Sequence, residues 1–440
     1  MLSQVKVLAF GLALCMVQGA MAQGFNKRYD AFNQGYEQGA WGIEKDEEGW
    51  LIFSFSFEPD TITPDSLIGI TSIVLQRINS EGDLVEEKRH KVPEHALYPG
   101  WADCCDRTTD GGYVTGGTIE NFAGEYKVRL MRYNADGDTL WTRTFGDSTH
   151  YWVGNQVKQT TDGGFLIVGF TDAIYFEGGF VIKTDPMGDQ EWMRMYGQGG
   201  GLLDGFESAV RCGSGYVLGG ISYVSEDNSN MWLQRIDSIG DLLWSKRWGG
   251  PYDEAQSYAL ALSDGNILAA STWGYANDGE SAAPYLAKVD SADGSTIWEH
   301  EYGAPGYGKT LFAAKEFPNT DLIACGVAYD GGNQQGLLLR TKANGDSLWM
   351  RNYAYHDNVI DQGTGRFWDV LPTADGGCIA AGVAYNPFGG PYPPGYSQDA
   401  WVVKVDSMGC IVPGCDGVGI TEQVTNLAGA LKLWPNPVQD

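Results

Sequence analysis

The stretch TTDGGFLIVGFT, residues 160–171, joins a tight turn to an apolar run, and the chain repeats this arrangement. Glycine supplies the positive φ that a tight turn needs, and aspartate caps its own backbone. The apolar run is short and bounded by turn residues, which is typical of a strand. Seven copies begin at Asp46, Thr108, Thr160, Arg211, Leu262, Pro318 and Thr373. Their spacing of about 50 to 63 residues suits the four-stranded blade of a β-propeller.

A second motif closes five of the seven units. NADGDTLWTRTFG, residues 134–146, looks like a small catalytic or calcium-binding loop, because two aspartates lie beside a glycine ahead of a tryptophan. Near copies begin at Asp185, Asp237, Asp290 and Lys342. A repeated loop is typical of a scaffold, and turn chemistry explains its residues without calcium. We interpret it as the turn between the third and fourth strands of a blade, with no metal, cofactor or catalytic residue.

A tryptophan follows this turn in five units, and we expect it to lie on an outer strand and fill the gap between neighbouring blades. These blade-packing residues are Trp141, Trp192, Trp244, Trp298 and Trp349. The sequence therefore predicts an all-β fold, a seven-bladed β-propeller of four-stranded antiparallel blades.

The first and last units break the pattern, and the breaks concern ring closure. Glu86 stands where the first unit should have its tryptophan, and the seventh unit lacks a fourth strand. The segment starting at Phe25 aligns with the one starting at Leu140, so it resembles a last strand placed first in the chain. We expect it to complete the seventh blade, because closure removes an exposed sheet edge.

The charge of the chain excludes some partners. A formal net charge of −27 at pH 7 argues against nucleic acid, which needs a basic face, and against an anionic membrane surface. The 440 residues include 61 glycines and 12% aromatic residues, which is enough for many turns and a large core.

The first 22 residues have the pattern of a secretory signal peptide, with a lysine, an apolar run and a small-x-small ending. We expect cleavage between Ala22 and Gln23. The apolar run is too short to span about 30 Å of hydrocarbon, so no transmembrane anchor is expected. Seven cysteines remain after cleavage, an odd number. Cys410 and Cys415 form a candidate disulfide, with two separate thiols as the alternative.

The last ten residues, LKLWPNPVQD, run from an apolar strand into a PNP turn. They resemble the opening of the C-terminal sorting domain of Bacteroidota proteins exported by the type IX secretion system, and Leu433, Pro435, Asn436 and Pro437 carry the match. The repeats likewise resemble propellers common in such secreted proteins. The expected organisation is a signal peptide (1–22), a propeller (23–415), a linker (416–430) and the first strand of an incomplete β-sandwich sorting domain (431–440). The resemblance implies export through the periplasm to the cell surface or medium, with the secretion machinery as a partner.

Two enzymatic interpretations stay open. VDSADGSTIW, residues 289–298, is similar to the repeat of pyrroloquinoline-quinone dehydrogenases, and the adjacent Cys104 and Cys105 resemble their vicinal disulfide. That family has eight units, however, and none of its calcium ligands or its catalytic aspartate can be assigned here. A glycan-active enzyme is the other alternative, although carboxylates are too abundant in the turns for spacing to select a pair. No HExxH, GxSxG or CxxC pattern marks a nucleophile or metal site.

A ligand site is expected on the loops that vary between blades, because function concentrates where a scaffold leaves freedom. Aromatic rings beside carboxylates and amides would suit sugars, although packing of the loops on one another would also explain them. The candidate residues are Tyr151, Trp152, Trp273, Tyr275, Tyr307 and His356. We expect a monomeric extracellular scaffold that binds a glycan or a protein, rather than an enzyme.

Overall fold

The computed structural model describes residues 24–30, 38–59, 69–173, 178–197, 204–225, 228–250, 254–255, 257–274, 282–303, 308–330, 333–356, 364–386, 397–412, 415 and 423–425. The expected cleavage site and the sorting motif, with Ala22, Gln23, Leu433, Pro435, Asn436 and Pro437, lie outside these residues. Within the described ranges, no helix is long and apolar enough to cross a membrane.

Seven antiparallel sheets follow one another along the chain, each starting with its inner strand. Blade 1 has β2 (Gln38–Lys45), β3 (Gly49–Pro59), β4 (Gly69–Asn79) and β5 (Leu84–His90), and blade 2 has β6 (His95–Tyr98) and β7 (Cys105–Arg107) as a divided inner strand, then β8 (Tyr113–Asn121), β9 (Tyr126–Tyr133) and β10 (Thr139–Phe145). Blade 3 has β11 (Trp152–Gln159), β12 (Phe165–Thr171), β13 (Gly178–Thr184) and β14 (Gln190–Tyr196), and blade 4 has β15 (Asp204–Cys212), β16 (Gly215–Ser225), β17 (Asn228–Ile236) and β18 (Leu242–Trp248).

Blade 5 has β19 (Tyr258–Ala261), β20 (Ile267–Trp273), β21 (Ala283–Val289) and β22 (Thr296–Glu301), and blade 6 has β23 (Lys309–Glu316), β24 (Leu322–Asp330), β25 (Asn333–Thr341) and β26 (Ser347–His356). Blade 7 has β27 (Thr364–Pro372), β28 (Cys378–Asn386) and β29 (Ser397–Val405), completed by β1 (Phe25–Tyr29). A short β30 (Gln423–Thr425) pairs in parallel with the edge of blade 6. The predicted seven-bladed propeller is confirmed.

The hydrophobic core lies between blades rather than inside one. One cluster joins residues of blades 2 and 3, another joins blades 3 and 4, and a third joins blades 4 and 5. The middle strands are therefore covered on both faces, and β12 reads as an almost continuous apolar run.

The N-terminal strand closes the ring, as predicted. β1 pairs antiparallel with β29 from Phe25 opposite Lys404 to Tyr29 opposite Ala400. Because Trp141 lies opposite Arg132 in the matching pair of blade 2, Phe25 takes the tryptophan position. The structure thus shifts the sequence alignment by one residue.

The repeated tryptophans lie at the seams between blades. Each half-buried ring contacts the positive-φ glycine in the turn that follows the third strand of the next blade. A Cβ placed on Gly188 would lie 2.6 Å from Trp141, and one on Gly240 would lie 3.1 Å from Trp192. Gly294, Gly345 and Gly409 face Trp244, Trp298 and Trp349 in the same way, and Gly82 faces Phe25. Glycine at this turn therefore serves both the backbone conformation and the packing of the ring.

The aspartate of the first motif has a structural partner. Asp162 Oδ1 accepts hydrogen bonds from Gly164 N at 3.0 Å and Thr160 Oγ1 at 2.5 Å, and its Oδ2 lies 2.8 Å from Lys183 Nζ. The equivalent ion pairs are Asp46–Arg77, Asp110–Arg132, Asp264–Lys288, Asp321–Arg340 and Asp375–Lys404. Blade 4 has Gly213 and Ser214 at this turn, and there Arg235 donates to Ser291 O of the next blade.

After the last blade, Cys410 and Cys415 form a disulfide with a Cα–Cα distance of 5.6 Å. The other described cysteines, Cys104, Cys105, Cys212, Cys325 and Cys378, are buried thiols.

Candidate functional site

The repeats separate the two faces of the ring. Successive antiparallel strands put the turns between first and second strands, and between third and fourth strands, on one face. We call this the turn face. The strand ends that lead into the connections that vary between blades lie on the opposite side, which we call the loop face. Each inner strand therefore begins at the loop face and ends at the turn face.

The structure places the predicted ligand-face residues in different environments. Tyr275, Tyr307 and the side chain of His356 lie outside the described residues. Trp152 is 3% exposed and packs against Phe180 with ring centroids 5.5 Å apart, which places it in the core instead of on a ligand face. Tyr151 is half-buried and meets Tyr126 and Phe170 edge-on. Trp273 lines a surface groove.

This groove, which we call the 4–5 groove, lies between blades 4 and 5 and has a volume of about 410 Å³. It is lined by Lys246, Trp248, Gly249, Trp273, Tyr285, Thr296, Glu299, His300 and Glu301. Trp248, Trp273 and Glu301 are the last residues of β18, β20 and β22, so the groove opens towards the loop face.

A chain of contacts holds the aromatic floor of the groove. Trp273 stacks on Tyr285, with ring centroids 5.4 Å apart and an angle of 28° between the planes. Trp248 Nε1 donates to Tyr285 OH at 3.0 Å, and Tyr285 OH donates to Glu299 Oε2 at 2.8 Å. Burial, followed by the hydrogen bond to Glu299, raises the pKa of Tyr285, so the phenol keeps its proton at neutral pH. Glu299 and Glu301 are exposed beside these rings.

The central channel contains a second group of aromatic and charged side chains. Five inner strands have a bulge at the same level, where one residue leaves the ladder. The bulged residues are Trp41, Asn155, Glu207, Phe312 and Trp368. In blade 2 the inner strand is interrupted between β6 and β7, and Trp101 and Asp103 lie in that interruption.

Four of these residues form what we call the channel aromatic cluster: Trp41, Trp101, Phe312 and Trp368. Trp368 is its centre, with ring centroids 4.2 Å from Trp41, 4.4 Å from Phe312 and 4.9 Å from Trp101. Trp368 is 3% exposed, whereas the other three rings are half-buried and reach solvent.

Next to it is the channel charge cluster, which comprises Asp103, Lys158, Tyr258, Lys315 and Asp369. Asp103 Oδ2 lies 2.9 Å from Lys158 Nζ and 2.8 Å from Lys315 Nζ, and it accepts a hydrogen bond from Tyr258 OH at 2.5 Å. Burial opposes ionisation of Asp103, but the two ammonium charges outweigh it and lower its pKa. Asp369 Oδ2 accepts from Ile43 N at 3.0 Å. Burial, and then the charge of Asp103, raise the pKa of Asp369 to about 7.

Two further carboxylates have raised pKa values. Burial raises the pKa of Glu207 to about 7 and is the main cause that raises the pKa of Glu44 to about 8. Among the residues that the structure describes, no group of three or more His, Cys, Asp or Glu side chains is placed to hold a metal ion. Cys104 and Cys105 are separate thiols, and their sulfur atoms face Gly42 of blade 1.

The channel residues were not identified from the sequence, although one signal was present. Glu44, Asp106, Lys158 and Lys315 occupy equivalent positions in four inner strands, as their pairing with the second strands shows. Aligning the segments just before each DGG turn would have revealed this ring of charges.

Comparison with known proteins adds similarity of fold alone. Neither a protein-family model nor a curated protein matches the chain. Among solved structures, the polysaccharide lyase Uly1 aligns with 84% of this chain and 90% of its own at 8% identity and a TM-score of 0.46. Sqt1 from Chaetomium thermophilum aligns with 78% of this chain and 88% of its own, at 12% identity and a TM-score of 0.44. Quinohemoprotein alcohol dehydrogenase from Comamonas testosteroni aligns with 93% of this chain and 78% of its own, at 10% identity and a TM-score of 0.38. At these values the similarities carry no functional argument.

Proposed function

We propose that this protein is an exported propeller scaffold that binds an extracellular glycan in the 4–5 groove. The observation that supports this is the stack of Trp273 on Tyr285 beside Glu299 and Glu301. A sugar ring has an apolar face that packs on an aromatic ring, and hydroxyl groups that donate to carboxylates.

The groove is organised before any ligand arrives. The contacts from Trp248 to Tyr285 and from Tyr285 to Glu299 hold three lining side chains in place. Binding therefore costs little side-chain entropy at these residues. The formal charge of −27 and the carboxylates of the groove favour a neutral or basic saccharide over an acidic polysaccharide.

Export through the type IX secretion system is part of the proposal and is supported by the signal-peptide pattern and the PNP motif. N-terminal sequencing of protein recovered from the medium or cell surface of a Bacteroidota host tests it. A chain beginning at Gln23 supports export, whereas protein that keeps residues 1–22 inside the cell contradicts it.

A glycan array with the full chain, followed by calorimetry on the strongest ligand, tests the binding function. Trp273→Ala is expected to weaken binding about tenfold, because it removes the stacking surface. Trp141→Ala removes a half-buried tryptophan from a distant seam and should leave affinity unchanged. Equal affinity of Trp273→Ala and wild type, or binding to no neutral or basic saccharide on the array, would contradict the proposal.

A further inference from the structure

We infer that the central channel, where the aromatic and charge clusters meet, is a second ligand site for a single sugar or another polyhydroxylated ring. The inference rests on the proposed function only for the class of ligand, since the residues differ from those of the 4–5 groove. The two channel clusters are joined through the chain itself. Trp368 and Asp369 are neighbours on β27, and Asp103 N donates to Trp41 O at 3.1 Å.

One carboxylate oxygen in this site has no hydrogen-bond donor among the described residues. Asp103 is 1% exposed, and all four of its side-chain donors, from Lys158, Lys315, Tyr258 and Gln156, reach Oδ2. Oδ1 is shielded from solvent and unpaired within the described part of the chain. Leaving a buried acceptor without a partner is destabilising, which is why such atoms usually have a partner in the working molecule.

The adjoining channel aromatic cluster contains unpaired donors. The indole nitrogens of Trp41, Trp101 and Trp368 are shielded from solvent, and the described residues offer them no acceptor. The edge of Trp41 points towards Gly39 and hence towards the loop face, since its Nε1 lies 3.3 Å from where a Cβ on Gly39 would be. Three unpaired indoles within one cluster of touching rings indicate a shared function.

The unpaired carboxylate acceptor and the unpaired indole donors together indicate the class of ligand. An ammonium ion would satisfy only the Asp103 acceptor, and a carboxylate or phosphate would satisfy only the indole donors. A hydroxyl group both donates and accepts, so a ring that carries several hydroxyls satisfies both sets. The half-buried faces of Trp41, Trp101 and Phe312 supply an aromatic wall for its apolar face.

The test is calorimetry and saturation-transfer NMR on the full chain with three kinds of probe: methyl glycosides of glucose, galactose and mannose, methylammonium, and acetate. Trp41→Phe keeps the ring but removes the N–H, and Trp101→Phe serves if that variant does not fold. The matched control is Trp152→Phe, whose buried indole nitrogen is also without a partner among the described residues but whose ring packs in the core between blades 2 and 3.

A methyl glycoside is expected to bind, and Trp41→Phe should weaken it about 5- to 20-fold. Trp152→Phe and Trp273→Ala should stay within about twofold of wild type, as expected for sites outside the channel. Binding of methylammonium or acetate alone, or of no methyl glycoside, overturns the inference. Binding that Trp273→Ala abolishes and Trp41→Phe leaves intact also overturns it, while the 4–5 groove would stand. If instead Trp41→Phe weakens binding of the methyl glycoside, and Trp273→Ala leaves the affinity for the glycan found on the array unchanged, the channel site stands and the 4–5 groove is rejected.

Discussion

Closure of the ring by β1 should contribute several kcal/mol to the free energy of unfolding, and the variant Phe25→Ala tests this contribution. Phe25 is 7% exposed, meets Trp50 edge-on at 6.4 Å, and covers Gly82 at the seam to blade 1. Truncating a buried phenylalanine costs about 3 to 5 kcal/mol, and a residue at the rim of the molecule should fall at the low end, about 3 kcal/mol. Urea denaturation followed by tryptophan fluorescence gives the free energy of unfolding.

Deletion of residues 24–29 should cost more than Phe25→Ala. It also removes the ladder with β29, the hydrogen bond from Tyr29 OH to Gly82 O at 2.7 Å and the bond from Trp401 Nε1 to Asn26 Oδ1 at 2.6 Å. The control is Leu140→Ala, a truncation at a side chain 55% exposed, which should change stability by less than about 0.5 kcal/mol. If Phe25→Ala costs no more than Leu140→Ala, β1 does not close the ring in solution.

Two further predictions concern pH. Burial opposes ionisation of Asp162, but its hydrogen bonds from Lys183 and Thr160 prevail and lower its pKa to about 2. Asp162→Asn should therefore lower the free energy of unfolding by about 0.5 to 1 kcal/mol at neutral pH, a small value because the carboxylate is half exposed. The difference from wild type should vanish as pH falls from about 4 to 2, because the carboxylate then becomes protonated. A difference that stays constant over this range would contradict the ion pair. Burial and the charge of Asp103 raise the pKa of Asp369 to about 7. Between about pH 4 and pH 7 the native state therefore keeps a proton on Asp369 that the unfolded state has lost. The free energy of unfolding should fall as pH rises through this range, by up to about 1.4 kcal/mol per pH unit. Asp369→Asn should flatten this decline in urea titrations, and an unchanged slope would show that Asp369 titrates normally.

The architecture was predictable because its signals are local and repeated. Turn residues such as Gly163 and Gly188 recur at fixed places, and each marks a hairpin whatever lies around it. The partner of Asp162 was also readable, since a lysine or arginine recurs on the third strand of each blade, as at Lys183 and Arg235. The one-residue shift at Phe25 arose because an ungapped alignment cannot fit two different spacings. The spacing from this position to the bulged inner-strand residue is that of Phe25 to Trp41 in one case and of Trp141 to Asn155 in the other.

The channel was not predictable by the same means. Side-chain direction alternates along a strand, and a bulge resets that alternation at the residue where it occurs. Trp41 and Trp368 therefore face the channel, while Trp152 near the start of another inner strand is buried against Phe180. Asp103 reaches the channel through an interrupted strand and a φ of 54°, which composition and spacing do not indicate.

A crystal structure of the full chain with the strongest saccharide from the array tests the proposed function most directly. The sugar should lie in the 4–5 groove, with one ring against Trp273 and a hydroxyl within hydrogen-bond distance of Glu299 or Glu301. A saccharide bound on the turn face, with the 4–5 groove unoccupied, would contradict the assignment.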